Sequence, residues 1–338
     1  MRQRRRTPAS APADPVRRRL LAALALGPSM MSKALAEDRY PIGPIRLVIP
    51  WPPGGIVDVQ GRMLAEKLRR ALGQPVVIDN RPGAAGTIGI ALGARARPDG
   101  YTLTLASSSN LVIAPLVEPD VGYDPIKDLA PITQFVDSPV VLLVNPRLGV
   151  DTFPALVQLA KSRPGQLMFG SNGTGGLVHI AGEVIQKAAG IEMLHVPYKG
   201  SPQTQLALLG NEVQVSVDFP ATCSKLVQAG KLKALLFTGD ARARVLPDVP
   251  TVKELGYPDL QMRGWAGIVA PTGTPPQIIE RLHREIARIV HSPELTEYLL
   301  ANGQRPVGST PAQFAAFIAT EKTKWARYVR LAGVGRDR

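Results

Sequence analysis

The 338-residue sequence contains one cysteine, Cys223, which excludes any internal disulfide and leaves the fold to packing and hydrogen bonding. That lone thiol is read as a core residue. The four histidines, His179, His195, His283 and His291, show no metal-ligand spacing of the H-E-x-x-H kind, so neither a metal nor any other cofactor is expected. The apolar run Leu20–Leu26 is far too short for a membrane span, which takes about 20 residues. Catalytic signatures are also missing. Phe169-Gly170-Ser171-Asn172-Gly173 fails the G-x-S-x-G elbow because Ser171 directly follows Gly170. No distinctive nucleophile–base–orienter set stands out, which makes an exported α/β enzyme acting on a carboxylate the weaker of the functional readings.

What is present is an ordinary globular composition, 45% hydrophobic and 20% charged, in a chain long enough for two domains. The formal charge of +13 invites a nucleic-acid reading until its distribution is considered. Residues 1–36 set Arg2, Arg4, Arg5, Arg6, Arg17, Arg18, Arg19 and Lys33 against Asp14 alone, a net +7, which leaves a modest +6 for the rest. No nucleic-acid partner is therefore expected. The basic cluster, the short apolar run and Ala34-Leu35-Ala36 follow one another in the order of a signal peptide, predicting export to the periplasm with cleavage after Ala36. Arg17-Arg18-Arg19-Leu20-Leu21 looks like a twin-arginine signal. A disordered basic arm is the plainer alternative.

From Tyr40 onward, apolar runs alternate with amphipathic stretches, the rhythm of an α/β fold. Strands are expected at Ile45–Ile49, Val76–Ile78, Tyr101–Leu105 and near Ile132–Phe135. After an interruption at Ser138-Pro139, strands resume at Val140–Val144, Leu167–Phe169, Met193–Val196, Val213–Val217 and Leu232–Phe237. Helices are expected from about Val57 to Leu72, closed by Gly73 and Pro75, and from Leu177 to Ala189, closed by Gly190. Pro275-Pro276 opens a helix with Ile279, Leu282, Ile286 and Ile289 on its apolar face. Thr310-Pro311-Ala312-Gln313 reads as a capping box opening the last helix, whose Phe314, Phe317, Ile318, Trp325, Tyr328 and Val329 read as core packing.

One pattern occurs twice. Pro53-Gly54-Gly55-Ile56-Val57-Asp58-Val59-Gln60-Gly61-Arg62 and Thr174-Gly175-Gly176-Leu177-Val178-His179-Ile180-Ala181-Gly182-Glu183 share x-G-G-[IL]-V-[DH]-[VI]-x-G-[RE], 121 residues apart. Each is a strand-to-helix turn through glycines, which offers free backbone N–H groups and a helix N-terminus to an anion. Either turn alone needs no ligand to explain it. Asp58 with Arg62, and His179 with Glu183, stand four residues apart and can simply be helix-surface pairs. A histidine in a first helical turn is disfavoured as a cation, which fits a neutral hydrogen-bonding role. The doubling is what points to function: two such turns facing each other across a cleft.

The residues also resemble a known family, the Bug receptors of tripartite tricarboxylate transporters, over about Tyr40 to Val334. The resemblance is carried by Tyr40-Pro41 with Pro44-Ile45-Arg46-Leu47-Val48, by Pro52-Pro53-Gly54-Gly55 with Asp58, and by Gly73-Gln74-Pro75-Val76-Val77 leading to Asn80-Arg81-Pro82-Gly83-Ala84. Further carriers are Pro98-Asp99-Gly100-Tyr101, His195-Val196-Pro197-Tyr198-Lys199-Gly200, Leu246-Pro247-Asp248-Val249-Pro250 and Ala270-Pro271-Thr272-Gly273-Thr274-Pro275-Pro276.

The resemblance implies a two-lobed periplasmic-binding-protein fold of type II, a Venus flytrap of two Rossmann-like α/β domains. Lobe 1 would comprise residues 40–137 and 256–335, and lobe 2 residues 138–255. It implies a monomer that captures a small organic carboxylate and delivers it to the membrane permease subunits of a tripartite tricarboxylate transporter, or instead informs a sensor kinase. Ligand contacts would fall on Trp51, Pro53, Gly54, Gly55 and Asp58 in the first lobe, with Ser107, Ser108 and Ser109 after the third strand. The second lobe would offer Ser171, Gly173, Thr174, Gly175, Gly176 and His179, with Asp218 at the cleft edge. The family usually has phenylalanine where Trp51 stands, small polar residues where Ile56 and Val57 stand, and often serine where Gly176 stands. These departures imply a ligand less polar than citrate, such as an aromatic or branched monoacid.

Overall fold

The computed structural model of the protein describes residues 40–118 and 120–334. The expected leader, residues 1–36, lies outside the described residues. The compact unit that begins at Gly43 is built on two mixed sheets.

The first sheet contains β1 (Ile45–Ile49), β2 (Val76–Asn80), β3 (Thr102–Ser107), β4 (Leu129–Pro139), β10 (Arg263–Pro271) and β11 (Arg305–Pro306), in the order β11-β4-β10-β3-β1-β2. The second contains β5 (Val141–Val144), β6 (Met168–Ser171), β7 (Leu194–Pro197), β8 (Val215–Asp218) and β9 (Lys233–Phe237), in the order β7-β6-β8-β5-β9. Strands β1, β2 and β3 run parallel, as do β6, β7 and β8; β10 and β5 close each parallel trio as an antiparallel neighbour. The apolar run Leu47-Val48-Ile49 of β1 follows from its central place, because a parallel strand covered by helices on both faces has no polar side to show; Arg46, before it, is half-buried and pairs with Asp79 on β2.

The two halves repeat one path. In the first, β1 turns into helix α1 (Ile56–Leu72), which leads to β2 on one side before the chain returns to β3 on the other. In the second, β6 turns into a helix over Leu177–Ala189 that leads to β7, and the chain returns to β8. The helices are built as their sequences require. Gly73 takes the left-handed conformation at φ 68° and its N–H closes on the Arg69 carbonyl, while Arg69 and Arg70 face the negative end of the helix dipole. Gly190 ends the second helix the same way at φ 62°.

Numbered in chain order, the remaining helices are α2 (Thr87–Ala94), α3 (Ala114–Val117) and α4 (Phe153–Ser162), with Leu177–Ala189 as α5, followed by α6 (Ser201–Gly210), α7 (Pro220–Gln228), α8 (Pro276–Val290), α9 (Pro293–Ala301) and α10 (Pro311–Ala332). Thr310 and Gln313 form the reciprocal capping box, with Thr310 Oγ1 accepting from the Gln313 N–H and Gln313 Oε1 accepting from the Thr310 N–H. Phe314, Ile318, Trp325, Tyr328 and Val329 of α10 are buried, and this helix packs against both β4 and α5.

Two local expectations differ from the structure. Ser138 and Pro139 do not interrupt the strand: β4 runs through both. Its neighbour β11 pairs only with Val136 and Asp137, so on that side no donor is needed at Pro139, and proline is tolerated. On α8 the buried isoleucine is Ile278 rather than Ile279, because the face turned to the core runs through Ile278, Leu282 and Ile286.

The chain passes from one sheet to the other through Val140 alone, and returns between Phe237 and Arg263. Fully buried Thr238 ties the two passages together. Its hydroxyl accepts from the Val140 N–H at 2.9 Å, and its own N–H donates to the Val140 carbonyl at 2.9 Å. Beside this clasp, the Asp137 carboxylate accepts from Arg263 at 2.8 Å and Arg305 at 2.7 Å, and Arg263 also reaches Asp240 at 2.8 Å.

Candidate functional site

In an open α/β sheet, ligands bind outside the carboxyl ends of the strands, where successive connections leave in opposite directions. The first sheet has that switch between β1 and β3, the second between β6 and β8. The Gly54–Gly55 turn and Ser107 stand at the first switch; Gly173–Gly176 and Asp218 stand at the second. The repeated motif therefore occupies equivalent points of two equivalent folds.

The local mechanics are also the same. Gly54 at φ 85° and Gly175 at φ 75° both adopt the left-handed conformation that a side chain would resist. The next glycine, Gly55 or Gly176, is the N-cap in extended conformation with no side-chain cap. The sixth motif residue then reaches back four positions to the first glycine: Asp58 Oδ2 accepts from the Gly54 N–H at 2.9 Å, and His179 Nδ1 accepts from the Gly175 N–H at 3.0 Å. The tenth residue braces the sixth, with Arg62 Nε at 2.9 Å from Asp58 Oδ2 and Glu183 Oε1 at 3.8 Å from His179 Nε2. The ninth is glycine in both because the helix lies directly on its own strand. A Cβ on Gly61 would stand 2.5 Å from Ile49 Cδ1, and one on Gly182 2.0 Å from Phe169 Cζ. Opposite charges at the tenth position thus follow from one rule: the brace matches an acidic or an imidazole acceptor.

In each turn one backbone donor is consumed internally. The first-turn N–H groups, from Gly55 to Val57 and from Gly176 to Val178, have no carbonyl four residues back within the helix. The Gly54–Gly55 turn is exposed and Gly175–Gly176 is half-buried, whereas Asp58 and His179 are buried. The charged and imidazole side chains thus stand behind the turns as braces, and backbone amides form their outer face.

The surrounding network holds these braces fixed. Asn80, at the end of β2, donates through Nδ2 to Asp58 Oδ1 at 2.8 Å and to the Trp51 carbonyl at 3.0 Å. Burial alone would raise the Asp58 carboxyl, but the bonds from Arg62, Asn80 and the Gly54 N–H together hold it below the ordinary aspartate value. In the other half, the His179 and His195 rings stack with centroids 3.8 Å apart at 19°. His195 Nε2 stands 2.7 Å from Ser171 Oγ, and burial lowers the His195 pKa. The Ser171–His195 pair has the spacing of a nucleophile and base. Ser171 is fully buried, however, and its hydroxyl is also 3.0 Å from the Gly173 carbonyl, so it braces the turn from within.

The other expected residues are placed as follows. Pro53 and Thr174 are exposed, and Gly173 is half-buried with φ 139°. Ser107 ends β3; buried Ser108 and half-buried Ser109 open a π-helical turn over Ser108–Ile113. That turn packs against α5, and a Cβ on Gly175 would lie 3.5 Å from Val117 Cγ1, so the second glycine turn meets the segment that follows β3. Asp218 is enclosed rather than presented. Ser201 Oγ, the Phe219 N–H and Gln205 Nε2 all donate to it within 2.9 Å, and burial raises its pKa against the pull of those bonds.

Sequence reasoning passed over Asn80 and His195 as site residues, and over the turn at Gly83–Gly86. That turn holds Ala84 at φ 46° and Ala85 at φ 52°, strained values for alanine, next to Gly83 and Gly86 at 131° and 93°. The Arg81-Pro82-Gly83 run was a visible turn signal, but nothing in it foretold left-handed alanines.

Comparison with known proteins agrees with this geometry. The sequence profile described as tripartite tricarboxylate transporter family receptor, TctC, matches residues 60–334. Protein BugT of Bordetella pertussis is 39% identical over 300 residues, covering 88% of this chain and 92% of its own. Among solved structures, an R. palustris protein with adipate superposes with a TM-score of 0.81 at 30% identity, covering 88% of this chain and 99% of that one. The periplasmic binding protein BugD gives 0.78 at 31% identity with coverage of 88% and 99%. MatC from Rhodopseudomonas palustris with bound malate gives 0.77 at 27% identity with coverage of 86% and 100%. The two-lobed α/β chain belongs to the tripartite tricarboxylate transporter receptor family, the TctC or Bug solute-binding proteins of the periplasm.

Proposed function

We propose that this receptor captures a small organic carboxylate between the two glycine turns and hands it to the membrane permease of a tripartite tricarboxylate transporter. The observation that carries the reading is the repeated device: in each half a buried acceptor pins the first glycine N–H, and the following first-turn amides keep their donors for an anion. The adipate- and malate-bound relatives support the carboxylate class. Binding is reversible and involves no chemistry, because the Ser171 hydroxyl is buried and committed to its own turn.

In this reading the N–H groups of Gly55 and Gly176 contact the carboxylate, Gly54 and Gly175 keep side chains out of its way, Asp58 and His179 hold the turns in place by binding the Gly54 and Gly175 N–H groups, and Trp51 with Ser107–Ser109 lines the first lobe's side. Closure turns on the two passages at Val140 and Thr238. The leader is removed after Ala36, and the mature chain acts as a monomer. Because Ile56, Val57 and Gly176 bring no hydroxyl to the turns, the ligand is less polar than citrate.

Isothermal titration of the mature protein with adipate, malate, benzoate and citrate tests this. At least one of the first three is expected to bind at micromolar concentration, with citrate at least tenfold weaker. Tight citrate binding without aromatic-acid binding rejects the low-polarity ligand. Saturable binding of none of the four rejects carboxylate capture.

A further inference from the structure

The two glycine turns hang on acceptors of different chemistry. Asp58 pins the first with a carboxylate held below the ordinary aspartate range. His179 pins the second with an imidazole, the side chain whose charge changes between about pH 5 and 8. To accept from the Gly175 N–H at 3.0 Å, Nδ1 must carry a bare lone pair. The neutral ring therefore holds its proton on Nε2, the nitrogen 3.8 Å from Glu183 Oε1. A second proton can enter only at Nδ1, where it would meet the Gly175 N–H donor to donor. A charged His179 and a pinned turn are mutually exclusive.

The surroundings decide which ring takes that proton. The His179 and His195 rings stack with centroids 3.8 Å apart, so two cations there would repel. His195 faces Ser171 Oγ at 2.7 Å and the Phe169 ring, both uncharged, and burial lowers its pKa. His179 faces the Glu183 carboxylate, which offsets the positive end of α5 and favours the charged ring. Of the other elements packed against α5, β6 and the π-helical turn carry no charged residue. Asp218 of β8 is enclosed by its own donors, and the buried Glu321 of α10 bonds Trp325 Nε1 and Lys324. Glu118, next to the Val117 that borders Gly175, is exposed. The proton thus goes to His179. Imidazolium and Glu183 together present little net charge, so a bound anion would lose a fixed turn and gain little attraction.

We propose that His179, with His195 stacked on it, is a positioning pair that makes the second turn a proton-sensitive clasp, pinned while His179 is neutral and released as it charges, while the first turn stays pinned. The inference rests on the carboxylate reading of the site and adds that capture is favoured by neutral over acidic surroundings.

The test begins on the free mature protein, by amide and histidine-ring NMR from pH 8 to 5. The Gly175 amide is expected to shift, and to lose protection from solvent exchange, with the same midpoint as the His179 ring, between about pH 5.5 and 6.5, while the Gly54 amide stays unmoved. A Gly175 amide indifferent to pH, or one that follows the His195 ring with His179 still neutral, overturns the proposal without any ligand. His179→Asp with Glu183→Arg gives the second turn the acceptor and brace of the first. In that variant the Gly175 amide should be flat from pH 8 to 5, and a persisting titration overturns the proposal. If urea unfolding shows the double variant misfolded, Glu183→Gln should move the His179 midpoint to lower pH, and an unmoved midpoint overturns it. Calorimetry with adipate at pH 7.5 and 5 reads the consequence for capture. Wild type should weaken about 4- to 30-fold more than the double variant, in proportion to the fraction of neutral His179 left at pH 5, and the comparison cancels the titration of the acid itself. Equal weakening overturns the link to capture. If adipate binds neither protein, it is adipate capture that fails, and the amide titration still decides the clasp.

Discussion

Replacing Asp58 by asparagine tests the pinning device most directly. The substitution keeps the shape and one oxygen, which can stay with the Gly54 N–H. The other corner becomes an NH2 group facing Asn80 Nδ2, which now stands 2.8 Å from Oδ1. Two donors in contact at a buried site cost about 1–3 kcal/mol. Loss of the ion pair with Arg62 adds little, because that side chain is 51% exposed and regains water. Loss of a negative charge from the first helical turn adds about 0.3–1 kcal/mol. The expected destabilisation is about 2–3 kcal/mol in urea unfolding at pH 7, with weaker ligand binding because the turn loses its anchor.

The pH dependence supplies an internal control. Asp58 titrates below the ordinary aspartate value in the folded protein, so its contribution is complete above the unfolded value of about 4 and fades as pH falls through the folded value. The gap between wild type and variant should therefore be flat from about pH 5 to 8 and shrink as pH falls below about 4. A difference under about 0.5 kcal/mol at pH 7, within the range of an ordinary surface change, refutes the pinning role. An equal difference at pH 7 and pH 3 refutes its electrostatic basis.

Three further outcomes follow from packing and pairing. Gly182→Ala should destabilise by about 1–3 kcal/mol despite the better helix propensity of alanine, since its Cβ would meet the buried Phe169 ring at 2.0 Å; Gly61→Ala, whose Cβ would meet the side-chain ends Ile49 Cδ1 at 2.5 Å and Leu105 Cδ1 at 3.1 Å, should cost less, and thermal unfolding ranks the two. Arg263→Leu should cost about 2–4 kcal/mol by urea unfolding, because Asp137 is 3% exposed and would keep Arg305 as its remaining cation, whereas Arg305→Leu at a 59% exposed position should cost under about 1 kcal/mol. Cys223 is buried and its thiol pKa is pushed well up by burial, so alkylation by iodoacetamide at pH 8 should track global unfolding; rapid labelling of the native protein would contradict that burial.

Local sequence determined much of this protein. Helix α5 begins at Leu177 and ends before Gly190 because glycines at both ends and an apolar stripe between them leave no other period, and the capping box at Thr310 fixes the start of α10 in the same way. The repeated motif could be seen without coordinates, since its internal contacts join residues four apart, 54 to 58 to 62 and 175 to 179 to 183. What the tertiary structure decided is the meaning of each residue in it. Asp58 and His179 look like ligand-facing groups in sequence, and only the folded turn shows that both reach back to a glycine N–H. Ser171 finds His195 through the pairing of β6 with β7, and Asp58 finds Asn80 at the end of β2, contacts no local pattern encodes. Periodicity and capping act over a few residues and are written in order along the chain. Hydrogen-bond satisfaction in a buried site depends on groups far apart in sequence, and only the packed fold fixes it.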